Sequence, residues 1–302
     1  MSGSFDAVST LNGIYADKIE ASLRALCESK RGVIPPRLLK SMSYSLLDGG
    51  KRLRPALCLA AAERNGVRAE RAMPMAGALE FLHTASLIHD DLPCMDNDDL
   101  RRGRPTNHKV FGECLAILAG FSLMIWAFEH ALSGLVSNGI PYEAAFRAVS
   151  FLCEATGPEG LCGGQTLDTD RESQSADRDF VYEIAEKKTA SLIRASVVTG
   201  ALLAGASDEI VRRYSEYGEH VGIAFQIVDD ILDATGTAEK LGKTPRKDEA
   251  QDKRTFVSAY GLDGAKQRAE RESARAAEAL SPLFPGGDLL ITLAEQLAHR
   301  SR

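Results

Sequence analysis

His89-Asp90-Asp91-Leu92-Pro93-Cys94-Met95-Asp96-Asn97-Asp98-Asp99-Leu100-Arg101-Arg102-Gly103-Arg104-Pro105-Thr106 sets five carboxylates immediately before three arginines. Carboxylates this close raise one another's pKa, so the cluster is costly unless a cation neutralises it. A hard divalent ion does so with oxygen ligands. Mg2+ characteristically takes one or two carboxylates, several waters and substrate phosphates. Arginines beside it supply forked, charge-assisted hydrogen bonds to phosphate oxygens. The stretch reads as a site for a metal-bound diphosphate.

The theme recurs downstream in Phe225-Gln226-Ile227-Val228-Asp229-Asp230-Ile231-Leu232-Asp233. Asp229 and Asp233 stand four apart and share one face of a helix, while the apolar residues between them turn into a core. In the first cluster Asp90 and Asp96 are six apart, roughly 120° around an unbroken helix. Pro93 argues against such a helix, because it removes a hydrogen bond and clashes with the preceding turn. A helix ending near Asp91, followed by an excursion that returns Asp96, brings both carboxylates to one metal. Either cluster alone reads equally well as a solvated acidic patch. Two of them, each directly after an apolar helical run, point to one site.

Residues 81–112, taken with Asp229 to Asp233, resemble the two aspartate-rich motifs of the trans-isoprenyl diphosphate synthases. The likeness is strongest to the bacterial farnesyl type and the bacterial or plastid geranylgeranyl type, and it extends from about residue 49 to about residue 261. It implies one all-α domain over residues 1–302, an isoprenoid synthase-type helical bundle around a deep central cavity, with the two motifs facing each other at its mouth. It further implies isopentenyl diphosphate and allylic diphosphates as substrates, two or three Mg2+ ions, and a homodimer. The metal ligands would be Asp90, Asp91, Asp96, Asp229 and Asp233. Catalysis by ionisation, condensation and elimination would rest on Asp90, Asp91, Asp96, Arg101, Lys188, Asp229, Asp230 and Lys253.

The basic residues divide between the two substrates. Gly49-Gly50-Lys51-Arg52-Leu53-Arg54-Pro55 turns freely at two glycines and then presents three cations in four residues. Alone it is a basic helix cap, with Pro55 suited to the first helical turn. The resemblance implies that Lys51 and Arg54 hold isopentenyl diphosphate, joined by His83 and Arg102. His83 lies seven residues before Asp90, on about the same helix face. Lys188 and Thr189 would otherwise be a solvated face. The resemblance brings them, with Gln226 and Arg101, to the allylic diphosphate and the developing carbocation. Gln165 and Asp168, in a glycine-rich break, resemble a further family stretch near the site. The lysine-rich run 235–254 reads as a mobile loop or a lid. Its Lys243 and Lys253 are implied to close on the allylic diphosphate.

A 302-residue chain with 44% hydrophobic content has enough apolar material for one large core. Net charge of −6 and a pI near 5.6 argue against a nucleic-acid partner. Six cysteines without a CxxC pair indicate reduced thiols and a cytoplasmic protein. Residues 1–10 lack the regions of a signal peptide. The longest uncharged run, 114–128, is short for a membrane span and predicts a buried helix. Apolar periodicity predicts helices over 5–27, 37–47, 69–91 with an early interruption at Pro74, 111–136 as the most apolar and central, 142–155, 177–204, 207–233, 262–280 and 289–299. No alternation or hairpin signal predicts a strand.

Product length should be set beside the helix that ends at Asp90. Farnesyl synthases of the resembled branch close the cavity with a bulky aromatic residue at the position of Ala85. Ala85, with Ser86 next to it, leaves it open. Phe81 and Leu82 lie one turn deeper, about 5.4 Å away and close to one extended isoprene unit. A floor there predicts a twenty-carbon geranylgeranyl product. Closure by Phe121, which stands where similar sequences commonly have Asp after Gly120, or by a partner subunit, predicts the fifteen-carbon farnesyl product. A class I terpene cyclase shares the metal chemistry. However, its second motif normally mixes Asn, Ser or Thr and Glu, and it needs no isopentenyl diphosphate site. A non-catalytic subunit tends to lose motif aspartates, and both motifs are intact here.

Overall fold

Burial at every fourth position builds the first helix of the computed structural model, which describes residues 6–170, 172, 175, 177–235 and 254–298. In α1 (Ala7–Ser29) the buried stripe is Ala7, Leu11, Tyr15, Ile19, Leu23 and Cys27. The Asp6 carboxylate caps its first turn, accepting from Val8 N at 3.2 Å. Helix α2 (Pro36–Leu46) starts with proline, whose missing N–H costs nothing there. Helices α3 (Leu53–Arg64) and α4 (Ala69–Asp90) follow. The interruption predicted at Pro74 is absent. Pro74 has no N–H for the Glu70 carbonyl, and Asn138 Nδ2 donates to that oxygen instead, at 3.0 Å.

Among the described residues there is one piece of sheet, which the sequence pattern does not predict. Strand β1 (Leu100–Arg101) pairs antiparallel with β2 (Arg104–Pro105). Arg102 and Gly103 join them at φ 52° and 76°, the two positive values of a type I′ hairpin turn. Strands of two residues are too short to show a two-residue period.

Helices α5 (Asn107–Phe111) and α6 (Glu113–Ser137) divide at Gly112. Helix α6 packs along α4, with the rings of Phe81 and Trp126 4.6 Å apart. It is a wall rather than the predicted central, buried helix, since Ile117, Leu118, Phe121 and Ile125 are exposed on its other side. The full helix is also long and apolar enough, by composition alone, to cross a membrane, which the uncharged run by itself does not suggest.

Helices α7 (Tyr142–Thr156), α8 (Leu161–Thr169) and α9 (Phe180–Ile184) precede a π-helical turn (Ala185–Ala190) and α10 (Ser191–Leu203). The single helix predicted over 177–204 is therefore changed in register at its middle. Helix α10 is the buried centre and packs on α3, α7 and α11 (Asp208–Thr235). Helix α12 (Phe256–Leu280) begins earlier than predicted because Thr255 and Ser258 form a capping box. Gly261, at φ 70°, kinks it. Helix α13 (Leu289–Leu297) returns to α1. A second, smaller apolar cluster joins Val181 and Ala185 to Ile227 and Val228 of α11 and to Phe256 of α12.

One buried ion cluster fixes the start of α3. Arg52 is only 3% exposed and sits at φ 43°, a left-handed conformation. Its Nε donates to Glu20 Oε1 at 2.7 Å, its Nη1 to Glu80 Oε1 at 2.5 Å and its Nη2 to the Leu46 carbonyl at 2.8 Å. The loop carrying Lys51 and Arg54 is thereby tied to α1, α2 and α4. Removing one partner of a buried ion pair typically costs about 3–5 kcal/mol. Because Glu20 still pairs Arg52, Glu80→Ala should cost about 3 kcal/mol by urea denaturation. A loss within about 0.5 kcal/mol, as at ordinary surface positions, would contradict the clamp.

Candidate active site

The end of α4 delivers the first acidic motif. The chain turns through Leu92 and Pro93, and Asp96 N then donates to the Asp90 carbonyl at 2.8 Å. Asn97, at φ 49°, donates back to the Leu92 carbonyl at 3.0 Å. The excursion therefore brings Asp96 back beside Asp90. Burial pushes the Asp90 carboxyl above its usual range; Lys188 opposes this and Asp96 reinforces it. Asp91 turns the other way, 3% exposed, and accepts from Arg101 Nε at 2.9 and 3.0 Å and from Nη2 at 2.7 Å. Burial pushes it up as well, and Arg101 pulls it back. Asp91 and Arg101, both expected at the metal and diphosphate, thus engage each other.

On the second motif Asp229 is exposed, while Asp230 and Asp233 are 7% and 4% exposed. Asp230 serves its own side of the helix. Its Oδ1 accepts from Gln226 Nε2 and its Oδ2 from Phe256 N, both at 2.8 Å. Gln226 Oε1 accepts the Thr189 hydroxyl at 2.6 Å. Lys188 Nζ lies 2.5 Å from Asp168 Oδ2. The π turn lets the consecutive Lys188 and Thr189 reach partners on α8 and α11, a use of such turns common at functional sites. Gly164 leaves no room for a side chain against the Lys188 backbone, so α8 presses directly on that turn.

The basic side gathers around α3. Arg54 Nη1 is 3.5 Å from His83 Nε2. Burial, then Arg54, Arg102 and Arg101, hold His83 well below its usual pKa, so the ring is neutral. Arg102 donates to the Gly49 carbonyl. Gly50, at φ 118°, has the Arg102 guanidinium where a Cβ would be, 2.6 Å from Nη1. The positive φ is what requires glycine here, since the Arg102 guanidinium ends a flexible side chain that could move aside. Lys51 is exposed beside them. Asp229 acts electrostatically on Arg54, which puts the second motif within reach of this basic cluster. Lys243 and Lys253 lie outside the described residues.

A cavity of about 240 Å³ opens beside Asp90, walled by Leu82 and Ser86 of α4, Met124 of α6, and Leu161, Cys162 and Gln165 of α8. Gln165 Nε2 is buried without a hydrogen-bond partner among the described residues. Of the four candidate length-setting residues, Leu82 and Ser86 line this space. Phe81 and Ala85 are fully buried, Phe81 against Trp126 and His130. Phe121 is 59% exposed on the outer face of α6, so it does not close the cavity of its own chain. Met124, Leu161 and Cys162 escape sequence reading because their helices carry apolar residues on several faces. Arg52 and Glu80 escape it too, although an acid inside the apolar run of α4 is a signal.

The carboxylates are hard oxygen donors, and burial makes Asp90 costly to ionise until a cation arrives. Among the described residues no three metal-ligating side chains are grouped closely enough to hold an ion themselves. That donor set suits Mg2+ completed by water and phosphate oxygens rather than an all-protein cage.

Residues 35–280 match the family model described as Polyprenyl synthetase. The chain is 46% identical over 268 residues to a chloroplastic geranylgeranyl pyrophosphate synthase of Catharanthus roseus, covering 88% of this chain and 74% of that one. It is 43% identical over 267 residues to a farnesyl diphosphate synthase of Bacillus subtilis, covering 88% and 90%. A geranyltransferase of Helicobacter pylori, solved with magnesium and isoprenyl diphosphate, superposes with a TM-score of 0.80 at 31% identity, covering 99% of this chain and 98% of that one. With its paired aspartate motifs, all-α bundle and these relatives, the chain belongs to the Polyprenyl synthetase family and is a prenyltransferase of the short-chain prenyl diphosphate synthase type.

Proposed function

We propose that the chain works as one Mg2+-dependent catalytic domain that condenses isopentenyl diphosphate head-to-tail with allylic diphosphates, as far as the twenty-carbon geranylgeranyl product. The observation that carries the product length is the cavity wall beside Asp90. It is formed by the small Ser86, with Leu82 one turn deeper.

Asp90, Asp96, Asp229 and Asp233 would hold the metal together with the allylic diphosphate. Bound Mg2+ supplies Lewis-acid stabilisation of the departing pyrophosphate. Lys188, held by Asp168, adds positive charge next to Asp90. Thr189 and Gln226 present oxygens toward the developing cation. Lys51, Arg54, neutral His83 and Arg102 hold isopentenyl diphosphate, so that the reacting carbons meet at high effective concentration. The apolar walls exclude water that would quench the cation to an alcohol. No side chain is an obvious general base, and the proton lost on condensation goes to the pyrophosphate.

We infer a homodimer through α6. Ile117, Phe121 and Ile125 recur every fourth residue on its exposed face, with Leu118 beside them. An apolar face of this kind marks an association surface. A cytoplasmic setting accords with six free cysteines.

Purified protein given Mg2+, isopentenyl diphosphate and five-, ten- or fifteen-carbon primers should yield twenty-carbon product from each, sized after dephosphorylation. Ser86→Phe should shorten the product to fifteen carbons, and Leu82→Ala should lengthen it beyond twenty. A wild-type stop at fifteen carbons, or no effect of either substitution, would overturn the length assignment. In sedimentation velocity the wild type should run as a dimer and the Ile117→Glu, Ile125→Glu double variant as a monomer. A wild-type monomer, or a double variant still dimeric, would refute that interface.

A further inference from the structure

Asp230 belongs by spacing to the second acidic motif, yet its carboxylate lies in a hydrogen-bond chain. Thr189 donates its hydroxyl to Gln226 Oε1 at 2.6 Å, Gln226 Nε2 donates to Asp230 Oδ1 at 2.8 Å, and Phe256 N donates to Asp230 Oδ2 at 2.8 Å. Asp230 is 7% exposed and Phe256 1%. Asp229, its neighbour, is exposed. The helical rotation between consecutive residues thus leaves one carboxylate exposed and turns the other into the α11–α12 contact.

We propose that Asp230 is a positioning residue that fixes which end of the Gln226 amide meets Thr189, and so presents an oxygen-rich surface where positive charge develops. The inference deepens the prenyl-transfer reading and rests on it. An amide offers one accepting oxygen and one donating NH2, whereas an ionised carboxylate only accepts. Facing Asp230, Gln226 must turn its NH2 toward the carboxylate and its oxygen toward Thr189. Thr189 then spends its single hydroxyl proton on that oxygen, and its lone pairs are left for the substrate. The Phe256 N–H at the first turn of α12 anchors the other carboxylate oxygen, where a negative group also suits the helix dipole. Lys188, one residue before Thr189, acts on Asp90, which puts the oxygen pair next to the diphosphate-binding side of the site.

Asp230→Asn tests this with little change in shape. The Phe256 N–H needs an acceptor, so it holds the Asn oxygen, and the Asn NH2 then faces Gln226. The Gln226 amide must invert and point its NH2 at Thr189, whose hydroxyl proton turns outward. The same hydrogen bonds form, but the dipole offered to a cation is reversed. Turnover should fall on the order of 100-fold, the lower end of what losing one preorganised polar group from an active site costs. KM for both substrates should stay within about threefold, the mark of an effect on the transition state. The Mg2+ half-saturation should not move, whereas in Asp229→Asn it should rise. Adding Gln226→Glu to Asp230→Asn gives a carboxylate that accepts from both neighbours. That double variant should recover about tenfold in kcat, the coupling expected of residues in one network.

Unchanged kcat in Asp230→Asn would overturn the proposal. So would a Mg2+ half-saturation shifted as in Asp229→Asn, or no recovery on adding Gln226→Glu. If Asp230→Asn fails to fold, Gln226→Met keeps the Asp230–Phe256 bond and should show the same fall in kcat at unchanged Mg2+ dependence. Unchanged kcat there is equally fatal. Wild-type protein that forms no prenyl product would instead defeat the functional reading and this inference with it. A productive wild type with the wrong variant behaviour defeats the inference alone.

Discussion

Like charge gathered at the end of α4 is the constraint on which the rest of the structure depends. Asp90 is pushed toward its neutral form by burial and by Asp96, while a cationic group gathers around Arg54 and Arg102, with Asp229 of the second motif acting on Arg54. Most of the cations around the site are also engaged by carboxylates of their own. Arg52 takes Glu20 and Glu80, Arg101 takes Asp91, and Lys188 takes Asp168. Buried Asp90 beside Asp96 favours a cation next to it, and the guanidinium groups of Arg54 and Arg102 favour an anion. A divalent ion carrying a diphosphate meets both needs at once.

The two acidic motifs solve the same geometric problem in the same way. In each, the second aspartate of the pair pins a segment further along the chain, while the first is left for other work: Asp90 lines the cavity and Asp229 is exposed. Asp91 holds Arg101 of the hairpin, and Asp230 holds the first residue of α12. A helix rotates about 100° per residue, so adjacent aspartates cannot both face one ion. The spare carboxylate becomes a structural anchor, holding Arg101 of the hairpin in one case and the start of α12 in the other.

Features governed by local spacing were legible in the sequence. Asp229 and Asp233 share a helix face by arithmetic, and Pro93 with Asp96 announces the return of the loop to Asp90. The helical bundle follows from apolar periodicity. What escaped depends on partners distant in the chain. Pro74 lies inside an intact helix because Asn138 takes the orphaned Glu70 carbonyl. The hairpin rests on two positive φ values at Arg102 and Gly103, with no strand long enough to register a pattern. The π turn at Lys188 is a register change that composition does not encode. The cavity wall needed Met124 and Leu161, whose helices are apolar on more than one face. Phe121 drew attention as a change of chemistry, but only the packing of α6 on α4 reveals that it points outward.

The most direct test is a thermal-unfolding series with Mg2+ alone, pyrophosphate alone and both together. The account predicts small shifts from each alone and a joint shift well above their sum, because the carboxylates need the ion and the ion needs the phosphate oxygens. A full shift from pyrophosphate in the presence of chelator, or strictly additive shifts, would contradict it.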